Sequence, residues 1–122
     1  MYFSKKSLKT YQSTAHKRKI TNQIQINQRY EKAWKTARQL SKILKEEFDV
    51  SETYIFGSLV YSKPELFHIY SDIDIAVRGL NNNEYYHAVA RLMDCDFKVD
   101  LIMMESTSDQ LRQRIKKEGV RL

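Results

Sequence analysis

Residues 71–77 read Ser-Asp-Ile-Asp-Ile-Ala-Val, an apolar run interrupted by two carboxylates. Side chains of a β-strand alternate between its faces, so Asp72 and Asp74 share one face and Ile73, Ile75 and Val77 occupy the other. Two adjacent carboxylates on a half-buried sheet repel each other and raise each other's pKa unless a cation neutralises them. The pattern therefore predicts a strand with one apolar face and a divalent-metal site on the opposite face.

A third carboxylate stands in another strand-like run, Val99-Asp100-Leu101. If this strand neighbours the first one, Asp100 approaches Asp72 and Asp74 and completes a cluster of three acids. Oxygen ligands without His or Cys nearby favour hard cations, Mg²⁺ or Mn²⁺. Two such ions shared by carboxylates suit in-line displacement at phosphorus. The three aspartates are therefore the predicted metal ligands.

The segment Phe56-Gly57-Ser58 follows a short buried strand. Glycine allows a phosphate to approach the backbone closely, and a helix beginning here would direct free N–H groups at a nucleotide. Ser58 can also donate its hydroxyl to a phosphate oxygen, which we favour over the alternative that it is an ordinary helix cap. Gly57 and Ser58 are the predicted nucleotide-binding residues.

Helical and strand-like segments alternate along the chain, which predicts an α/β (α+β) domain with a small mixed sheet of three or more strands flanked by helices. Asn83 and Ser108 are the expected caps of the last two helices. Residues 59–70 form a connecting segment that contains the only proline, Pro64. The predicted strands cover residues 54–56, 72–78 and 97–104, and the predicted helices cover 27–48, 84–93 and 109–117.

The positive charge of the chain is concentrated at its N-terminus. Residues 1–32 hold eight Lys and Arg against Glu31 alone, a net charge of +7, whereas the remaining 90 residues carry −1. The helical period is weak here, so this segment is a separate helix, a continuation of the next helix, or a segment that orders on a partner. We divide the chain into a basic N-terminal arm, residues 1–28, helical or partly disordered, and a domain over 29–122. A solvated helix face is the favoured explanation of this charge, and nucleic-acid binding by the arm is the alternative.

Composition excludes several classes of protein. The 122 residues fit one domain, and no stretch approaches the roughly 20 apolar residues of a membrane span. The single cysteine, Cys95, excludes an internal disulfide and a multi-thiolate zinc site. The basic N-terminus lacks the apolar segment of a secretory signal, so we expect a cytoplasmic protein.

The order Gly57-Ser58, Asp72-Ile73-Asp74 and then Asp100, each in strand context, resembles the polymerase-beta-like nucleotidyltransferases. The short chain resembles their minimal nucleotidyltransferase (MNT) branch. This resemblance implies the nucleotidyltransferase fold, with Gly57 and Ser58 binding the triphosphate of ATP. It also implies that Asp72 and Asp74 ligate Mg²⁺ or Mn²⁺ and that Asp100 is a further ligand or the base, so that all three are catalytic.

Two features depart from the pattern of that family. The spacer over residues 59–71 has thirteen residues, where relatives commonly have near ten. Many relatives also follow Gly-Ser with a small residue, an arginine and a glycine, whereas this chain has Val60, Tyr61 and Ser62. Lys63 is a candidate replacement for that arginine, and the altered loop places catalytic strength in question more than the fold.

MNT proteins of this size are typically paired with a HEPN-domain ribonuclease as the antitoxin of a prokaryotic toxin–antitoxin module. The resemblance implies transfer of AMP from ATP to a tyrosine of that toxin, which silences it, within a hetero-oligomer or homo-oligomer. One alternative is a non-catalytic antitoxin that inhibits by contact; the residues at Tyr61 and Ser62 favour it and the intact acids oppose it. Another alternative makes the basic arm a nucleic-acid-binding element.

Overall fold

A computed structural model describes the backbone of residues 5–61 and 72–122, with side chains described from residue 24 onward. Most of the predicted connecting segment, including Lys63 and Pro64, lies outside the described residues. The main elements are α1 (Lys5–Glu47), β1 (Glu52–Phe56), α2 (Ser58–Tyr61), β2 (Ile73–Arg78), α3 (Tyr85–Leu92), β3 (Val99–Met103), α4 (Asp109–Glu118) and β4 (Val120–Arg121).

The strands form one mixed sheet in the order β3-β2-β1-β4. β1 runs antiparallel to both β2 and β4, whereas β2 and β3 are parallel and are joined through α3. The predicted mixed sheet flanked by helices is therefore confirmed, and β4 is an addition to it. This last strand has only two residues, and the Leu122 N–H extends its pairing by donating to the Thr53 carbonyl at 3.1 Å.

The alternation of side chains along β2 and β1 separates two apolar clusters. Ile73, Ile75 and Val77 belong to the larger cluster, which buries the inner faces of α1 and α3 against the sheet. On the other face, Ala76 packs with Ile115 of α4 in a smaller cluster. Since α4 covers only part of this face, the end of β2 that carries Asp72 and Asp74 is less covered than its centre.

The N-terminal basic segment continues directly into the helix that packs on the sheet. α1 has 43 residues, which gives a length of about 65 Å at 1.5 Å per residue. Within residues 24–47, its buried apolar side chains are Ala33, Ala37, Leu40 and Leu44. The division into an arm and a domain at residue 28 stays a prediction. Among the described residues, no helix is long and apolar enough to cross a membrane.

The two predicted helix caps differ in outcome. The Ser108 hydroxyl accepts a hydrogen bond from the Leu111 N–H at 3.2 Å at the start of α4, as predicted. The Asn83 prediction is wrong, because the Asn81 side chain accepts from the Asn83 N–H at 3.0 Å and opens a short 3₁₀ turn, Asn82–Glu84. α3 begins only after this turn, at Tyr85. An asparagine that bonds the backbone two residues ahead favours a turn over a direct helix start.

Candidate active site

The parallel pairing of β2 with β3 sets Asp74 directly opposite Asp100. Asp72 lies immediately before β2, two residues from Asp74 and therefore on the same side of the sheet. Asp72 and Asp74 are half-buried, whereas Asp100 is exposed on β3, the edge strand. The structure thus brings together the three carboxylates that the sequence analysis singled out.

Burial and like charge both disfavour the ionised form of Asp74. The pKa of Asp74 is raised from 3.8 to about 6, first by burial and then by the negative charges of Asp100 and Asp72. Burial disfavours the ionised form, and each neighbouring carboxylate adds repulsion. A cation placed among these groups would relieve both penalties.

The chemistry of the donors fits a divalent cation of the Mg²⁺ class, because carboxylate oxygens are its preferred protein ligands. Within residues 24–61 and 72–122, however, no three His, Cys, Asp or Glu side chains already converge closely enough to hold a metal ion. The carboxylate of Asp74 instead lies against the backbone of Gly57. Rotation about side-chain bonds would therefore be needed for Asp72, Asp74 and Asp100 to share an ion.

Gly57 connects the acid cluster with the start of α2. Its φ is +74°, which L side chains rarely adopt, and a Cβ at this position would overlap the Asp74 carboxylate. Its carbonyl accepts hydrogen bonds from the N–H groups of Val60 and Tyr61, at 3.1 and 3.0 Å, and so begins the four-residue α2. The predicted helix after Gly57-Ser58 is present but short. The absence of a side chain at Gly57 therefore allows the Asp74 carboxylate to lie against the backbone.

A cavity of about 390 Å³ lies beside Gly57, and its described lining includes none of the three aspartates. Arg114 of α4 lines it and was not singled out from the sequence, because the basic residues of α4 resemble a solvated helix face. Its Nε donates to Glu118 Oε2 at 3.1 Å, and its guanidinium lies 5.7 Å from the centre of the Tyr61 ring. The residues that line the cavity are Phe56, Gly57, Ser58, Tyr61, Leu111, Arg114 and Ile115.

A second open recess, of about 520 Å³, lies on the other side of the cluster along the edge strand β3. Asp100 lines it together with Tyr85, Ser106 and Thr107. The Tyr85 hydroxyl donates to the Leu101 carbonyl at 2.9 Å, which satisfies one outward-facing group of the edge strand. The acid cluster therefore lies between two recesses, one beside Gly57 and one beside Asp100.

We expect Asp74→Asn to raise the free energy of unfolding of the metal-free protein by about 1–2 kcal/mol at pH 8. The full pKa difference corresponds to about 3 kcal/mol, which is reduced because the side chain is half exposed. Since the folded-state pKa is raised, the penalty is absent below the unfolded value of 3.8, grows as pH rises, and is complete above about 6. Urea denaturation in EDTA at pH 4 and pH 8 measures it, and an equal gain at both pH values would contradict this explanation.

The mixed sheet with its paired aspartates and the glycine-serine turn defines the class of protein. Residues 38–122 match the sequence pattern of the family described as "Polymerase beta, Nucleotidyltransferase", which is more than two thirds of the chain. The chain belongs to this family and is a nucleotidyltransferase. No curated protein sequence matches the chain significantly.

Solved structures of toxin–antitoxin complexes are similar to this chain. The MntA-HepT toxin–antitoxin is 26% identical, with a TM-score of 0.52 over 70% of this chain and 68% of that one. A toxin–antitoxin crystallised with AMP-PNP is 29% identical, with a TM-score of 0.58 over 70% of both chains. A complex of tri-AMPylated Shewanella oneidensis HEPN toxin with MNT antitoxin is 28% identical, with a TM-score of 0.54 over 73% and 70%.

Proposed function

We propose that this protein is the antitoxin of a HEPN/MNT toxin–antitoxin module and transfers AMP from ATP to a tyrosine hydroxyl of a HEPN ribonuclease toxin, thereby neutralising it. The observation that carries the proposal is the strand register that sets Asp74 opposite Asp100, beside Gly57. Support comes from the similar complexes, one of which contains a tri-AMPylated HEPN toxin and another AMP-PNP. The proposed reaction uses ATP and an intracellular ribonuclease, and hence takes place in the cytoplasm.

The proposed reaction is an in-line displacement at the α-phosphorus. The tyrosine oxygen forms a bond to phosphorus while the bond to the pyrophosphate oxygen breaks, and pyrophosphate leaves. Asp72 and Asp74 would hold Mg²⁺, which supplies neutralisation of the phosphate charge when bound. Asp100, exposed beside the open recess, would complete the ligand set or accept the proton of the tyrosine hydroxyl.

The two recesses suit the two substrates of such a transfer. The cavity at Gly57 and Ser58 would receive the triphosphate, with the Ser58 hydroxyl donating to a phosphate oxygen. The recess along β3 would receive the acceptor tyrosine beside Asp100. Catalysis in this arrangement rests on positioning of the two substrates and on charge neutralisation.

Purified protein, Mg²⁺ and a candidate HEPN protein from a neighbouring gene, incubated with ATP labelled at the α-phosphate, test the proposal. We expect label on the HEPN protein, loss of its ribonuclease activity, and no label when ATP carries the label at the γ-phosphate or when EDTA is present. Neutralisation without ATP and without label would instead establish a non-catalytic antitoxin and would overturn the enzymatic proposal.

A further inference from the structure

The cavity beside Gly57 has an apolar floor and a polar rim. Phe56 and Leu111 are partly buried and pack against the smaller apolar cluster, so the apolar side of the cavity is continuous with the core. Ser58, Tyr61 and Arg114 supply the polar atoms of the lining. Because Gly57 also touches the Asp74 carboxylate, the cavity and the acid cluster meet at this residue.

Arg114 is held in place from two sides. Glu118, one turn further along α4, accepts from its Nε at 3.1 Å, and the Tyr61 ring lies beneath its guanidinium at 5.7 Å. Partial burial and the carboxylate of Glu118 raise the pKa of the Tyr61 hydroxyl, so this ring stays neutral beneath the cation. Among residues 24–61 and 72–122, Glu118 is the one residue that hydrogen-bonds the Arg114 side chain, and 65% of that side chain is exposed.

The charge of the lining indicates what that ligand is. Among the described residues that line the cavity, Arg114 is the one with a charged side chain, and it is positive. A guanidinium presents donors in a planar fork that matches two phosphate oxygens. Gly57 lines the cavity and lies against the Asp74 carboxylate, so a triphosphate whose α-phosphate lies at the aspartates would extend past Gly57 into the cavity that contains this fork.

We propose that Arg114 binds the terminal phosphates of a nucleoside triphosphate, with Tyr61 and Glu118 as the residues that position its guanidinium. This inference rests on the proposed function in one respect, which is that the α-phosphate of a triphosphate lies at the aspartates. It assigns no role in the transfer to Arg114 beyond substrate binding. Its distinguishing consequence is selectivity for a nucleotide that carries β- and γ-phosphates over one that lacks them.

Calorimetric titration of the full chain with AMP-PNP and with AMP, both with Mg²⁺, tests the inference. We expect Arg114→Gln to weaken AMP-PNP binding about tenfold, the low end of the range for charge-assisted hydrogen bonds because the side chain is exposed. AMP binding should change less than about twofold, since AMP does not reach the arginine. Arg114→Lys keeps the charge without the fork and should recover part of the affinity for AMP-PNP.

Arg91→Gln is the matched control, because Arg91 is also a partly exposed arginine that donates from Nε to a glutamate, Glu47, at 3.1 Å. It lies on α3 outside the cavity and should leave both affinities unchanged. Equal AMP-PNP affinity in Arg114→Gln and the parent protein would overturn the inference. Equal losses of affinity for AMP-PNP and for AMP would also overturn it, as would a parent protein that does not bind AMP-PNP. Selective loss of AMP-PNP affinity without any AMP transfer to a HEPN protein would support it while refuting the proposed function.

Discussion

Replacement of Asp72 and Asp74 together by asparagine is expected to lower the rate of AMP transfer to a HEPN toxin by about a thousandfold or more. The two carboxylates would supply protein ligands for Mg²⁺. A metal ion contributes several kcal/mol of charge stabilisation in the transition state, and about 4 kcal/mol corresponds to a thousandfold change in rate. Asparagine keeps the shape of each side chain and removes its charge. The rate is measured in a single turnover with ATP labelled at the α-phosphate.

Loss of the fold would not explain this result. Burial, and then repulsion from Asp100 and Asp72, raises the pKa of Asp74, so removal of the charges stabilises the metal-free protein. The double variant should therefore be at least as stable as the parent protein in EDTA. Asp94→Asn is the control for charge alone, because Asp94 is exposed on the segment after α3. Transfer by the double variant within tenfold of the parent rate would contradict the assignment of these aspartates.

The double variant also distinguishes an enzymatic antitoxin from a non-catalytic antitoxin that inhibits by contact. An enzyme that silences its partner by AMP transfer loses neutralisation together with the label. A protein that acts by contact keeps neutralisation, because two substitutions on one face of the sheet leave most of a docking surface unchanged. Ribonuclease activity of the toxin, measured at equal concentrations of each variant, distinguishes these outcomes.

Alternation in residues 71–77 was sufficient to predict β2 and its two faces, because a strand with one buried side imposes a period of two. The register with β3 was not predictable from spacing, since strand order depends on how α3 packs and returns the chain. The approach of Asp100 to Asp74 was therefore an assumption, and the observed parallel pairing sets the two residues opposite each other. The two-residue β4 carries no periodic signal and was missed for that reason.

The continuity of the long α1 was predictable from its composition and not from its apolar period. Residues 5–47 contain neither glycine nor proline, so nothing in them interrupts a helix, even where the apolar period is weak. Arg114 is a different case, because no feature of its neighbours in sequence distinguishes it from the other basic residues of α4. Only the packing of α4 beside Gly57 and Tyr61 gives it a place at the cavity.

Substitution of Gly57 by alanine is expected to have the second-largest effect on transfer. A residue other than glycine at a positive φ costs on the order of 1–3 kcal/mol, and here the added Cβ would also overlap the Asp74 carboxylate. That carboxylate must move, and a displacement of about 1 Å at a reacting centre costs on the order of a hundredfold in rate. We therefore expect a less stable protein whose folded fraction transfers AMP about a hundredfold more slowly.

Gly79→Ala provides the matched control, because Gly79 has a similar φ, +88°, and its added Cβ would meet Ser51 Oγ at 3.0 Å. Gly79 follows β2 at the end away from the aspartates. Its substitution should therefore lower the free energy of unfolding by a similar amount, because of the same positive φ, and leave the rate of transfer within about twofold. Urea denaturation gives the two stabilities, and single-turnover labelling well below both melting temperatures gives the rates of the folded proteins. If both variants slow transfer equally, the loss follows from general destabilisation, and the contact between Gly57 and Asp74 does not set the position of the carboxylate.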